Sequence, residues 1–517
     1  MTESKKSFLD WMTFTGPAET DGELSTHLSD LDGQTLADKL RRAYTWILNN
    51  AILTPTYDLA FGLEAGKHYT FPNGDSLVLP GEASFSSYIL MPLLTLATRR
   101  KCLLVGGPGR GKTAIATLMG LVAGVDKAGL RRAVQHGHPQ LTVSDLLGSP
   151  LPADLMRAEE LEQVKVSWKK WLSLPIKIID EYNRIPTKTQ SALLSLMAEG
   201  YAEQFGQTVE VGNSAWFLTA NDDGGGGTFQ VIEALADRID VTVRSLSFNP
   251  WFLDTLLERI EKRQEPADVM PDEVRFSAEE LDRLQAEILT VSVPRNVRRR
   301  LELFLGALDF CQRASPLFEH KSKDALKLAG LRLAQVCNAD CPLDKRRHIC
   351  SQTENGASVR AFMTLLAYAK ALAYFRGHKQ VGIDDIRQIV PFVLHDKLSP
   401  NRQSPYFDSE RRGLLTDKTA WIRNMFDMAM DQYDHLRPDD HSPLEKYLEE
   451  MDRGLVGLGK TETKRRINRI AATIREYQRG GELSAPVYMD LAVLKSLYLR
   501  YQAYMHWQEN KNRKPKA

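Results

Sequence analysis

Eight consecutive residues, Gly106-Gly107-Pro108-Gly109-Arg110-Gly111-Lys112-Thr113, restrict this chain more than any other stretch. They fit G-x-x-x-x-G-K-[ST], the pattern of a loop that wraps a polyphosphate. The flanks matter as much as the loop. Lys101 to Val105 is a short apolar run that predicts a buried strand, and Ala114 to Met119 starts a helix. Only between a strand end and a helix N-terminus do free backbone N–H groups and the positive helix end face an anion together. The glycines let the backbone close on that anion. Lys112 is placed to reach the β and γ phosphates, and Thr113 to hold Mg²⁺. The backbone from Gly107 through Ala114, Pro108 and Arg110 included, forms the cradle. The bland alternative is a glycine-rich turn that binds nothing; the full pattern and both flanks speak against it.

Strands and helices alternate from 101 to 243, which predicts an α/β fold with a parallel, doubly wound sheet. Pro175 to Asp180 is an apolar strand that ends in two carboxylates, Asp180 and Glu181. Downstream of such a loop, Asp180 suits Mg²⁺ and Glu181 suits polarising an attacking water. An acidic pair at a strand end is otherwise usually just solvated. Ala215 to Ala220 is a further strand, and Asn221 stands at its C-terminal end, the edge where ligands bind in open α/β sheets. Asn221 could orient a lytic water, or simply begin a turn. Gly224-Gly225-Gly226-Gly227 follows as a tether, either plain slack or a mobile segment beside the nucleotide.

The rest of the chain divides around this unit. Residues 1–84 form an N-terminal extension that holds a polar arm, an amphipathic helix from Thr35 to Ala51 and two short strands around Pro72-Asn73-Gly74-Asp75. Residues 85–250 hold the α/β core. Residues 251–400 are nearly all helical, with an insertion at 309–355, and residues 401–517 form a separate helical region. At 517 residues several domains are expected. A formal net charge of +1 argues against a generally basic nucleic-acid binder. No apolar run is long enough to span a membrane, no signal pattern opens the chain, and five cysteines do not make a secreted disulfide scaffold. The expectation is a cytoplasmic protein.

Two further groups stay open on sequence alone. Cys337-x3-Cys341-x6-His348-x-Cys350 could ligate zinc through three thiolates and an imidazole, or be four unlinked residues in a helical hairpin. Lys460, Lys464, Arg465, Arg466 and Arg469 could meet nucleic acid or an acidic partner, or form a solvated helix face.

With these residues in hand, the chain resembles the MoxR family of AAA+ ATPases. The likeness is carried by Asp180-Glu181-Tyr182-Asn183-Arg184-Ile185-Pro186 and the helix after it, by Asp145-Leu146-Leu147-Gly148-Ser149, by Glu233 to Arg238, and by Gly356-Ala357-Ser358-Val359-Arg360. It covers about residues 85 to 400, the insertion set aside. The resemblance implies an AAA+ core with an all-α lid. It also implies a hexameric ring with ATP between subunits, and a chaperone-like action on a partner with a von Willebrand factor A domain. It makes Arg238 an arginine finger, Asn221 sensor 1 and Arg360 a sensor 2 that contacts ATP in cis. Ile239 stands where the family usually has Phe, and Lys169-Lys170-Trp171 replaces a usual Gly-Pro before the acidic strand. The alternative is a nucleic-acid-linked motor subunit resembling the McrB-type GTPases, since nothing in the phosphate loop selects the base.

Overall fold

The structure is a computed structural model. It describes residues 35–511 apart from 52–55, 63–67, 75, 80–82, 152–163, 222–232, 246–249, 263–264, 409, 437–443, 456 and 480–482. The polar arm and the glycine tether named above lie outside the described residues.

Five parallel strands form the central sheet: β1 (Lys101–Val105), β2 (Val134–His136), β3 (Ile176–Asp180), β4 (Ala215–Ala220) and β5 (Val241–Arg244). Their order is β5-β1-β4-β3-β2. Side chains alternate between faces along a strand, so each strand feeds two separate apolar layers. Cys102, Leu104, Ile178 and Phe217 enter one layer. Leu103, Ile179, Trp216 and Leu218 enter the other. A sheet buried on both faces reads as continuous apolar runs, which is why these strands are visible in sequence.

One face is covered by the helices Ser87–Thr98 and Lys112–Val122 and, beyond them, by the helical lid. The other is covered by Thr187–Glu199, by the short helix Glu233–Arg238 through Leu235, and by Trp171. Trp171 is 1% exposed; its indole N–H donates to Leu146 O at 2.7 Å, and its ring stands edge-on to Trp216. Two small antiparallel strand pairs belong to this half. Gly148–Pro150 pairs with Val166–Trp168, directly before Lys169-Lys170-Trp171. Tyr201–Gln204 pairs with Gln207–Glu210, turning at Phe205 and Gly206 with φ of 52° and 70°.

The lid is built from Ala278–Thr290, Arg295–Asp309, Val359–Phe375 and Ile383–Leu394. Its apolar stripes share one continuous layer with the sheet. Two segments placed elsewhere by the sequence reading join that layer. Leu36–Asn50 inserts Leu40, Tyr44 and Ile47, with Tyr44 edge-on to Phe85 and Phe375. Lys418–Leu436 inserts Trp421, Ile422, Met425 and Phe426 against Phe304 and the helix Ile383–Leu394. The first is thus more than an extension. The second belongs with the lid and not with the separate C-terminal unit, because its stripe at helical spacing is fully buried there.

The remaining helices, Leu444–Asp452, Lys460–Arg479 and Ala485–Lys511, form a small unit around Leu444, Tyr447, Ile470, Leu494 and Tyr501. Most of the basic run is used inside it. Arg465 pairs with Glu462, Arg466 with Glu450 and Glu462, and Arg469 with Glu450. The rings of Tyr501 and Tyr447 lie under Arg466 and Arg469. No helix of the described residues is long and apolar enough to cross a membrane.

Candidate functional site

The phosphate loop leaves the C-terminal end of β1, whose neighbours are β4 and β5. Gly106 N donates to Ala220 O, tying the loop to the end of β4. Gly109 and Gly111 both have φ of 72°, the left-handed region where a side chain is strained. Gly111 caps the helix Lys112–Val122. The loop is braced from outside by Tyr88 and Ser245, whose hydroxyls donate to Arg110 O at 3.3 and 2.9 Å. Burial pushes the Tyr88 phenol well above its ordinary range, so it remains a donor.

Lys112 Nζ donates to Gly106 O at 2.6 Å, Gly107 O at 2.7 Å and Asn221 Oδ1 at 2.9 Å. Asn221 Nδ2 in turn donates to Glu181 Oε1 at 2.8 Å. Thr113 Oγ1 donates to Asp180 Oδ1 at 2.7 Å. Lys112, Thr113, Asp180, Glu181 and Asn221 are therefore gathered at one sheet edge, from three different strand ends. The Thr113 hydroxyl and the Asp180 carboxylate are hard oxygen donors meeting at one point, which fits Mg²⁺.

Four residues that sequence reasoning passed over complete the site. Thr219, fully buried, donates to Asp180 Oδ1 at 2.6 Å and accepts from Glu181 N at 2.9 Å. That second bond holds Glu181 in the left-handed region, at φ 53° and ψ 49°. Such a conformation costs a residue with a Cβ about 1–2 kcal/mol, and here it turns the carboxylate off the strand line. His136, at the end of β2, lies 3.3 Å from Asp180 Oδ2. Arg184 pairs with Glu181 Oε2 at 3.2 Å. Gly137 packs flat against the acidic strand end, where a Cβ would meet Glu181 O at 2.3 Å. A polar residue two before a strand-end Asn, and a His-Gly at another strand end, were the available signals.

The two arginines fall elsewhere. Asp240 N donates to Lys101 O, and Asp240 Oδ1 takes Arg100 and the Thr364 hydroxyl. This network sits at the N-terminal edge of β1. Arg238 precedes it by two residues. Arg360 lies one helical turn before Thr364 and pairs with Asp237, which also accepts from Ser358 at 3.4 Å. Burial lowers the Lys101 ammonium, and Arg100, Arg360 and Arg238 push it the same way while Asp240 opposes them, so both arginines are in its electrostatic reach. Five strand residues at about 3.3 Å each put roughly 16 Å between this edge and the loop after Val105. The Arg360 guanidinium, expected to contact ATP in cis, is held here by Asp237.

Residues 101–241 match the ATPase family associated with various cellular activities (AAA), and residues 345–413 match the AAA lid domain. This is an AAA+ core with its lid. The lid match takes in Gly356 to Arg360 and stops short of Lys418–Leu436. No curated protein matches the chain by sequence. Among solved structures, the chain is similar to a crystal structure of a "putative ATPase" from Cytophaga hutchinsonii. Identity is 18% and the TM-score 0.48, over 74% of this chain and 94% of that one.

Proposed function

We propose that this chain is a MoxR-type AAA+ ATPase that hydrolyses ATP in a ring, a hexamer by resemblance. Its work is the remodelling or activation of a partner protein, one with a von Willebrand factor A domain. Support for hydrolysis, as against binding alone, comes from the paired carboxylates at the loop. Asp180 is engaged by Thr113 and Thr219, while Glu181 is held off the strand line by Thr219 and bonded to Asn221.

In this reading the loop amides from Gly107 to Ala114 bind the phosphates, and Lys112 exchanges part of its loop contacts for β and γ oxygens. Thr113 and Asp180 hold Mg²⁺, which supplies charge neutralisation on the phosphates. Glu181 accepts a proton from the attacking water, and Asn221 orients that water. Support for a ring comes from Arg238, two residues before Asp240, whose N–H donates to Lys101 O at the strand edge opposite its own loop. From there Arg238 serves the nucleotide of a neighbouring copy, where its guanidinium stabilises charge on the transferring phosphoryl group, while Arg360 acts as sensor 2 on the nucleotide in cis.

The basic run does not favour the nucleic-acid motor, since Arg465, Arg466 and Arg469 are already paired with glutamates. Two measurements test the proposal. Mixing inactive Glu181→Gln and Arg238→Ala copies should restore part of the hydrolysis, because some interfaces then join an intact Glu181 to an intact Arg238. No restoration contradicts action in trans. Affinity capture with Glu181→Gln should enrich a von Willebrand factor A protein over Lys112→Ala. Enrichment of nucleic acid instead contradicts the partner reading.

A further inference from the structure

The insertion between the lid helices Arg295–Asp309 and Val359–Phe375 poses a stability problem. From 311 to 348 its only buried apolar side chains are Ala314 and Leu326. Leu317, Leu328 and Leu331 are exposed. Regular structure there amounts to the short helices Lys323–Leu328 and Leu333–Val336 and one 3₁₀ turn. A segment this poor in core cannot offset its chain entropy by burial, and small units of that kind are normally held by a metal or by disulfides.

Four of the five cysteines converge in this segment. Cys311, Cys337, Cys341 and Cys350 all line one cavity, although they are spread over 40 residues of sequence. The fifth, Cys102, is buried in β1. His348 is not among the lining residues. The cavity is about 20 Å³, room for a single atom-sized occupant. Its wall also holds Lys323, 1% exposed, whose ammonium donates to Thr353 O at 2.7 Å. A buried cation beside four thiols suits a centre that becomes negative when occupied.

We propose that Cys311, Cys337, Cys341 and Cys350 form a structural zinc site, a four-thiolate centre that holds the lid insertion together. Zinc takes four cysteines in tetrahedral array at about 2.3 Å. Four Zn–S bonds form, the four thiol protons pass to water, and no electrons move. Among the described residues no three His, Cys, Asp or Glu side chains already stand as a metal-holding group. In the proposal, zinc binding itself draws the four thiols together from their places on the cavity wall. The sequence pattern alone pointed to His348 as the fourth ligand; the fold brings Cys311 there instead. The stapled segment in turn carries Phe318, which with Phe310 contacts Tyr488 of the C-terminal helix at ring distances of 5.0 and 5.4 Å.

The test is elemental analysis of the full chain, purified under reducing conditions without chelator. Zinc at about one per chain is expected. His348→Ala should keep that content, and Cys341→Ser should lower it. Cobalt(II) added after zinc removal should give the absorption of tetrahedral thiolate cobalt, a readout that needs no variant to fold. Wild-type protein with zinc well below one per chain and no cobalt–thiolate band overturns the proposal. So does recovery of these cysteines as disulfides, or loss of zinc in His348→Ala with full zinc in a folded Cys341→Ser.

Discussion

Replacing Thr219 by valine removes one hydroxyl and almost no volume. That hydroxyl makes two bonds to the acidic pair: it donates to Asp180 Oδ1 at 2.6 Å and accepts from Glu181 N at 2.9 Å. A hydrogen bond to a charged group is worth about 1.5–3 kcal/mol, and an orphaned buried N–H costs about 1–3 kcal/mol. Glu181 also sits in a conformation that costs about 1–2 kcal/mol and is held there partly by this bond. If about 1.4–2.7 kcal/mol of that total is expressed in the transition state, kcat falls about 10- to 100-fold. Nucleotide affinity should change far less, because Lys112, Thr113 and the loop amides are untouched. The assay is phosphate release at saturating ATP and Mg²⁺, with nucleotide binding measured separately. Thr219→Ser keeps the hydroxyl and should recover most of the rate. A folded Thr219→Val variant with kcat within about twofold of wild type refutes the positioning role.

Gly137→Ala would drive a Cβ to 2.3 Å from Glu181 O, so the acidic strand end must shift. Overpacking of this kind costs about 1–3 kcal/mol, and both the thermal midpoint and the hydrolysis rate should fall; an unchanged rate contradicts the packing argument. Lys177 is fully buried in β3, and burial lowers its ammonium to about 8 from 10.5. Its folded value lies below the unfolded one, so the unfolded chain holds more protons between about pH 8 and 10.5 and stability rises with pH across that window. Below pH 8 the whole penalty is present, at most about 3 kcal/mol. The stability of Lys177→Met relative to wild type should therefore decline as pH rises from 8 to 10.5, read from denaturant midpoints; a difference independent of pH contradicts it.

The strands and the phosphate loop were legible because parallel strands covered on both faces must be apolar throughout, as in Lys101–Val105 and Ala215–Ala220. The site residues on those strand ends were legible for the same reason: a strand's end fixes where its next residue points. Thr219 was not, because a threonine inside a strand looks like any β-branched filler until its partner on the next strand is known. The hairpin at Tyr201–Glu210 was missed because its turn, Phe205-Gly206, lacks the Asn-Gly or Asp-Gly signal. Arg360 was legible as an arginine on a first helical turn, but its distance from the loop depends on how the lid packs against β1 and β5. The basic run from Lys460 looked available because Glu450, which pairs with both Arg466 and Arg469, comes from another helix. Cys311 was left out of the cysteine pattern because it lies 26 positions before Cys337.

The most direct measurement is ATP hydrolysis by the purified chain with and without Mg²⁺, in wild type, Lys112→Ala and Glu181→Gln. The account predicts Mg²⁺-dependent turnover in wild type and none in either variant. Glu181→Gln should still bind ATP, since Lys112, Thr113 and Asp180 remain. Full turnover in both variants would contradict the assignment of the site.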